Sequence, residues 1–292
     1  MFLAIVRLMR PHQWIKNSFC LAGLVFSSQL TDPEAIATAL ETALCFCLAS
    51  STVYVFNDLV DRDRDRLHPT KRNRPIASGA VKPGQACALA VILAALTLIG
   101  SSQVHIGAFI CVALYLLNNL LYSFLLKHQF LFDVLGIAVG FVLRLLGGTY
   151  AIGEQPTAWI VLCTLFLAFF LGFAKRRGEL AALLESEEGL SRRPVLHHYS
   201  LDYLDQLLTN AGTMTIVCYA MFTASGDKNR TLVLTLPVVY YAIMRYTQRI
   251  LVHGKGEEPE KLLIKDPHMI VSSILWLVLY LAIERSGIHL IN

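Results

Sequence analysis

Nine blocks of mostly apolar residues, each close to the length of a membrane-crossing helix, recur along this 292-residue chain. They lie near 18–32, 36–57, 83–101, 105–122, 130–150, 157–173, 208–224, 231–248 and 269–288. A helix needs about 20 apolar residues to cross the hydrocarbon of a bilayer. Backbone groups in lipid must be satisfied internally, so uniformly apolar runs of this length predict helices rather than barrel strands. Composition agrees, with 55% hydrophobic and 16% charged residues. A soluble domain carries about 25% charged residues, so an ordinary soluble enzyme is excluded. The first block is the weakest, because Ser27, Ser28 and Gln29 shorten its apolar run.

Charge sets the expected orientation. Apart from Arg144, Lys228, Arg230 and Arg285, every Lys and Arg falls at the N-terminus or around the connections after blocks two, four, six and eight. By the positive-inside rule the N-terminus is then cytoplasmic and the C-terminus outside, which an odd number of spans such as nine satisfies. Residues 2–10 read as a short basic amphipathic stretch at the interface, with Trp14 and Lys16 suited to the headgroup region. The seven cysteines lie in apolar segments without ligand spacing and are expected to be buried packing residues. The fold class expected is an all-α integral membrane protein, one domain over residues 1–292. The inner loops after blocks two, six and eight are long and charged, so function is expected on the inner face. The first two follow equivalent blocks four helices apart, a hint of an internal pseudo-repeat.

The strongest chemical feature is Asn57-Asp58-Leu59-Val60-Asp61-Arg62-Asp63-Arg64-Asp65 at the inner end of block two. On a helix Asp58, Asp61 and Asp65 share one face, and Asp63 points away from it. Carboxylates placed so suit Mg²⁺, an oxygen-seeking ion often completed by substrate phosphates. The bland alternative is a solvated helix end whose alternating charges neutralise one another. Aspartate is poor in a helix and costly at a membrane boundary, which favours function.

Lys71, Arg72 and Arg74 follow within ten residues, as a metal–diphosphate group held by Mg²⁺ on one side and cations on the other would require. Alone, that run would signify only topology or headgroup contact. Tyr122 and Lys127 close block four, and Asp133 opens block five. Arg144 lies eleven residues further, on the same helix face and about 16 Å deeper. An arginine at that depth needs either a structural partner or a polar cavity. Gly136, Gly140, Gly147 and Gly148 around it suit close helix approach. After block six comes Lys175-Arg176-Arg177-Gly178-Glu179, then Arg192 and Arg193. Lys175 and Glu179 could simply pair, and cations at a helix end favour its dipole, yet the remainder suits phosphate. The loop over 251–268 carries mixed charge and is assigned no chemistry.

These residues resemble the UbiA superfamily of intramembrane prenyltransferases. Its first signature, NDxxDxxxD, is intact as Asn57, Asp58, Asp61 and Asp65, and the nine-span topology also matches. The resemblance implies a helical bundle around a central cavity open laterally to lipid, with the first motif binding Mg²⁺ and diphosphate. The family's second acidic motif, DxxxD, should follow block six, where Lys175–Glu179 stands instead. That departure, with RPHQWIKN near the start and NDLVDRDRDRLHPTKRNRPIASG in the first inner loop, is similar to the branch that transfers phosphoribose to polyprenyl (decaprenyl-like) phosphate.

The resemblance implies phosphoribosyl pyrophosphate as donor, a polyprenyl phosphate as acceptor and Mg²⁺ as cofactor, at the cytoplasmic face of the inner membrane. It implies Asp58, Asp61 and Asp65, oriented by Asn57, for metal and pyrophosphate. Lys71, Arg72 and Arg74 are expected on donor phosphates, and Tyr122, Lys127 and Asp133 in the donor pocket. Lys175 and Arg176, with Lys16, are expected on the lipid phosphate, and Arg144 along the cavity. No nucleic-acid partner is expected, and self-association is left open. The rival readings are an aromatic prenyltransferase acting on a quinone or haem precursor, and a non-catalytic lipid-phosphate transporter.

Overall fold

A computed structural model describes residues 2–68, 71–185, 194–225, 228–252, 254, 262, 265–286 and 290–291. Among these described residues the regular structure is entirely helical. The chain divides into two compact units, Met1–Leu126 with Val139–Pro156, and Lys127–Ala138 with Thr157–Asn292.

The first unit opens with α1 (Phe2–Met9), which exposes Phe2 and Leu3 and buries Leu8. A 3-10 segment over Pro11–Leu21 and a short α2 (Ala22–Val25) follow. The first predicted span is therefore helical but broken. Its polar residues account for that: Asn17 turns inward to donate to Cys47 and Ser50 at 3.1 and 3.3 Å instead of facing lipid. Next, α3 (Pro33–Val60) starts where Pro33 presets the first turn and Asp32 accepts the Glu34 N–H at 3.1 Å. A single turn at Asp61 leads into α4 (Arg62–Arg66). Then come α5 (Pro83–Val104) and α6 (Ile106–Phe124), separated by the extended backbone of His105, whose ring accepts the Gly107 N–H at 3.0 Å.

In this unit α3 packs on α5, α6 and the 3-10 segment around Phe46, Ala49, Val53, Cys111, Val112 and Tyr115. The C-terminal part of α7 (Phe132–Ala151) joins the same core through Leu143. Gly148 is obligatory there, since a Cβ would collide with the Cys20 carbonyl, and one on Gly147 would enter the Phe46 ring. The close approach expected of these glycines is present.

The second unit contains the start of α7 together with α8 (Ala158–Glu185), α9 (Leu201–Thr223), α10 (Leu236–Leu251) and α11 (Pro267–Ser286). The pairs α8–α9, α9–α10 and α10–α11 pack against each other. Its core runs through Val134, Phe170, Phe173, Leu204, Leu208, Ile243, Tyr246 and Ile250.

Among the described residues six helices, α3, α5, α6, α7, α8 and α11, are long and apolar enough to cross a membrane. They match six of the nine predicted blocks. The other three blocks are helical but fall short of that standard. The first is broken, α9 carries Thr209, Asn210 and Thr213, and α10 has 16 residues. Large apolar side chains such as Ile92, Leu96, Ile99, Leu117, Ile274 and Val278 stand exposed along these helices, an inversion of soluble packing that lipid would satisfy. Six cysteines are buried as expected; Cys87, on α5, is exposed, a correction to the sequence reading. Arg192, Arg193 and most of 251–268 lie outside the described residues.

Candidate active site

The acidic motif forms its centre within the first unit. Helical hydrogen bonding carries on across the turn at Asp61, because the Asp61 N–H reaches the Asn57 carbonyl at 2.9 Å and the Asp65 N–H reaches the Asp61 carbonyl at 2.8 Å. That continuity keeps Asp58 and Asp65 on one side, where they are 2% and 3% exposed. Asp61, at the joint, is the most open of the three. Asp63 points away as expected and is shared by Arg62 and Arg66. The Arg62 hydrogen bond, with the Arg62 and Arg66 charges, outweighs desolvation and holds its carboxyl below the ordinary range.

Two arginines converge on the buried pair. Arg74 Nη1 donates to Asp58 Oδ1 at 3.1 Å and to Asp65 Oδ2 at 2.7 Å, so one nitrogen bridges both carboxylates. Arg10 Nη2 donates to the same Asp58 oxygen at 2.6 Å. Local chemistry aims each of them. The 3-10 turn Lys71–Asn73 closes with the Arg74 N–H on the Lys71 carbonyl. Pro75, Ile76 and Ala77 are then buried, and Arg66 Nε clamps the Ala77 carbonyl at 3.2 Å. Arg10 adopts the left-handed conformation, φ 53°, between α1 and Pro11. Its guanidinium lies over Tyr54, 4.9 Å from the ring centroid, and Ser51 fixes the neighbouring backbone by donating to the Met9 carbonyl. Sequence reasoning missed Arg10, which reads as one more inner-side cation; its place before Pro11 was the available signal.

The other predicted residues of this unit are placed as follows. Asn57 does not turn to the aspartates but accepts from Ser123 of α6 at 2.6 Å, next to Tyr122. Lys71 and Arg72 are exposed on the turn before Arg74, and Lys16 is half-buried on the 3-10 segment. Arg144 is 6% exposed and donates to Asn17 at 2.7 Å, the Gly140 carbonyl at 2.9 Å and the Tyr115 hydroxyl at 2.9 Å. It also lies over the Tyr115 ring, 4.5 Å from the centroid. These are the contacts of an interior clamp.

A second charged centre lies within the second unit. Arg176 is 1% exposed and donates to Asp133 at 2.6 Å and to Glu179 at 2.7 Å. Asp133 is fully buried and also accepts from Tyr199 at 2.8 Å. Burial and the adjacent Asp133 carboxylate push the Tyr199 hydroxyl above its ordinary value, so it stays protonated as a donor. Its oxygen accepts the Leu131 N–H at 3.1 Å, holding a residue of positive φ, 64°, at the head of α7. Thus Asp133 and Arg176, expected on donor and acceptor respectively, are brought to each other. Lys127 opens the segment that carries Asp133, and Lys175 directly precedes Arg176 within α8; both are half-buried.

Among the described residues no three His, Cys, Asp or Glu side chains form a ready-made metal cage. The first centre nonetheless has the donors for Mg²⁺. Two buried carboxylates aim at one point, and the guanidinium nitrogen there is a stand-in cation. Mg²⁺ takes one or two carboxylates and completes its shell with water and substrate phosphate, which this arrangement permits.

The UbiA prenyltransferase family model matches residues 17–274, a stretch that includes the acidic motif and runs through both units. The chain belongs to this family. It is 33% identical over 288 residues to a decaprenyl-phosphate phosphoribosyltransferase of Mycolicibacterium smegmatis, covering 94% of this chain and 90% of that protein. It is 31% identical over 286 residues to a protein of the same name from Corynebacterium glutamicum, covering 93% and 84%. Its fold is similar to a UbiA homolog from Archaeoglobus fulgidus solved with GPP and Mg²⁺, with TM-score 0.73 and 21% identity over 96% of this chain and 99% of that one. Family and apolar helices together make this UbiA member a multi-pass membrane protein.

Proposed function

We propose that this UbiA member transfers 5-phosphoribose from phosphoribosyl pyrophosphate to a polyprenyl phosphate, releasing pyrophosphate at the cytoplasmic face of the inner membrane. The observation that carries the reading is the convergence of Arg10 and Arg74 on the buried Asp58–Asp65 pair. This is a site built to exchange charges with a diphosphate. The relatives named as decaprenyl-phosphate phosphoribosyltransferases support the choice of substrates.

In the reaction an oxygen of the lipid phosphate bonds to ribose C1, and the bond from C1 to the pyrophosphate oxygen breaks. The attacking oxygen is already ionised at neutral pH, so no strong general base is needed. Asp58 and Asp65, with the more open Asp61, would hold Mg²⁺. When bound, that ion neutralises charge on the departing pyrophosphate. Arg74 and Arg10 turn their remaining N–H groups toward the donor phosphates, and Lys71 and Arg72 extend the cationic surface for them. Tyr122 completes the donor contacts in this proposal, and Lys16 serves the acceptor phosphate. Asp133 and Arg176 act on substrate only indirectly, by holding the backbone around them.

The test is a detergent or membrane assay with labelled phosphoribosyl pyrophosphate, polyprenyl phosphate and Mg²⁺, run beside Asp61→Asn. Label is expected in an organic-extractable lipid, abolished by EDTA and in the variant. An intact preparation that leaves the label in water, yet moves a prenyl chain from its diphosphate to an aromatic acceptor, overturns this reading in favour of the prenyltransferase.

A further inference from the structure

The charge count at the first centre has a consequence for how it loads. Two buried carboxylates, Asp58 and Asp65, face two guanidinium groups, Arg10 and Arg74, at 2.6–3.1 Å. The Asp58–Asp65 pair is therefore already charge-balanced, with Asp61 outside this count. A divalent cation arriving alone would meet Arg74 at the point where both carboxylates aim and would leave the pocket with excess positive charge. A cation arriving with a diphosphate brings its own compensating negative charge. It also offers the displaced guanidinium a new anionic partner, at which a charge-assisted hydrogen bond is as strong as the one given up.

The geometry allows that exchange. Arg74 sits on a turn rather than in a long helix, and its side chain is 30% exposed. Arg10 is 24% exposed and contacts Asp58 by one nitrogen only. Neither is enclosed, although the carboxylates are.

We propose that Arg74, assisted by Arg10, is the resident counter-cation of the Asp58–Asp65 pair: it keeps free divalent metal out and moves from the carboxylates to the diphosphate, so that metal and diphosphate enter together. This rests on the functional reading above only in assigning a diphosphate to the centre. It assigns Arg74 a second task, that of making metal affinity depend on substrate.

The experiment is equilibrium dialysis of Mn²⁺ against the full-length protein in detergent, counting the metal retained by protein, with and without inorganic pyrophosphate. Wild-type protein should bind Mn²⁺ weakly alone and at least about tenfold more tightly with pyrophosphate, the scale expected when one close charge is exchanged. Arg74→Gln should bind free Mn²⁺ about tenfold more tightly than wild type and lose most of the pyrophosphate enhancement. Arg74→Lys, which keeps the charge, should stay near wild type. Equal Mn²⁺ affinity with and without pyrophosphate in the wild type overturns the proposal without any variant. So does an Arg74→Gln protein, folded by its melting curve, that binds free Mn²⁺ no better than wild type. If phosphoribose transfer persists in that case, the function stands and the exchange falls. If the coupling is found but phosphoribosyl pyrophosphate is not a donor, the exchange stands and a different diphosphate is the substrate.

Discussion

Each unit of this molecule contains an arginine set between two carboxylates, yet the two arrangements behave as opposites. In the first unit Arg74 spans Asp58 and Asp65 from a surface turn, with its side chain 30% exposed. In the second Arg176 spans Asp133 and Glu179 from within α8, with its side chain 1% exposed. Asp133 is further tied by Tyr199, which also holds the strained Leu131. The lesson is that exposure of the cation, not the presence of an ion pair, separates a site that can trade partners from one that is structural. A buried pair loses several kcal/mol when one member is removed, because the survivor is left charged and dry. A part-exposed cation can turn to water or to a ligand at little cost.

The largest expected effect therefore falls in the second unit. Arg176→Leu strands Asp133 in a dry site and should cost about 3–5 kcal/mol, read as a fall in melting temperature and folded yield in detergent. A variant that melts like wild type would break the comparison, since Arg176 would then be as replaceable as Arg74. In the first unit the effect should appear in turnover instead. Asp58→Asn should lower phosphoribosyl transfer by about 10²–10³-fold, the range for losing one preorganised charged contact, with a far smaller change in melting. A collapse of stability there would mean that the first centre is structural as well.

Tyr199→Phe sharpens the contrast with less force. It removes the donor to Asp133 and the acceptor for the Leu131 N–H, for a loss of about 1–3 kcal/mol in denaturation experiments. The smallest effect concerns Asp266, a buried carboxylate of the same unit met by the part-exposed Arg245 and Arg249. Burial opposes the Asp266 carboxylate, but Arg245 at 3.1 Å and the backbone N–H groups of His268 and Met269 prevail and hold it below the usual range. A depressed carboxyl contributes stability above its unfolded value, near 3.8, and loses it as pH falls through the lower folded value. The stability gap between wild type and Asp266→Asn should be constant near neutrality and shrink below about pH 4. A gap independent of pH down to strong acid would show that Asp266 carries no such linkage.

Much of this was legible in the amino-acid sequence. Block length and apolarity announced the helices, because lipid leaves the backbone no other way to satisfy its polar groups. The i, i+3, i+7 spacing put Asp58 and Asp65 on one helix face and turned Asp63 outward, as found. Less was legible where polar and apolar residues mix. The first block is broken because Asn17 is worth more inside, against Arg144, Cys47 and Ser50, than in a regular span. Propensity along the chain does not contain that preference.

What the sequence by itself determined is the class of fold, the family and the acidic motif, since each rests on contacts within a few helical turns. Tertiary structure alone decided which cation meets which carboxylate. Arg10 lies 48 positions from Asp58, and Arg176 lies 43 from Asp133. Charge acts through space, so a lysine- and arginine-rich run looks alike in sequence whether it will be buried as a clamp or left open to a phosphate. Only packing, by excluding water from Arg176 and admitting it to Arg74, made the two different.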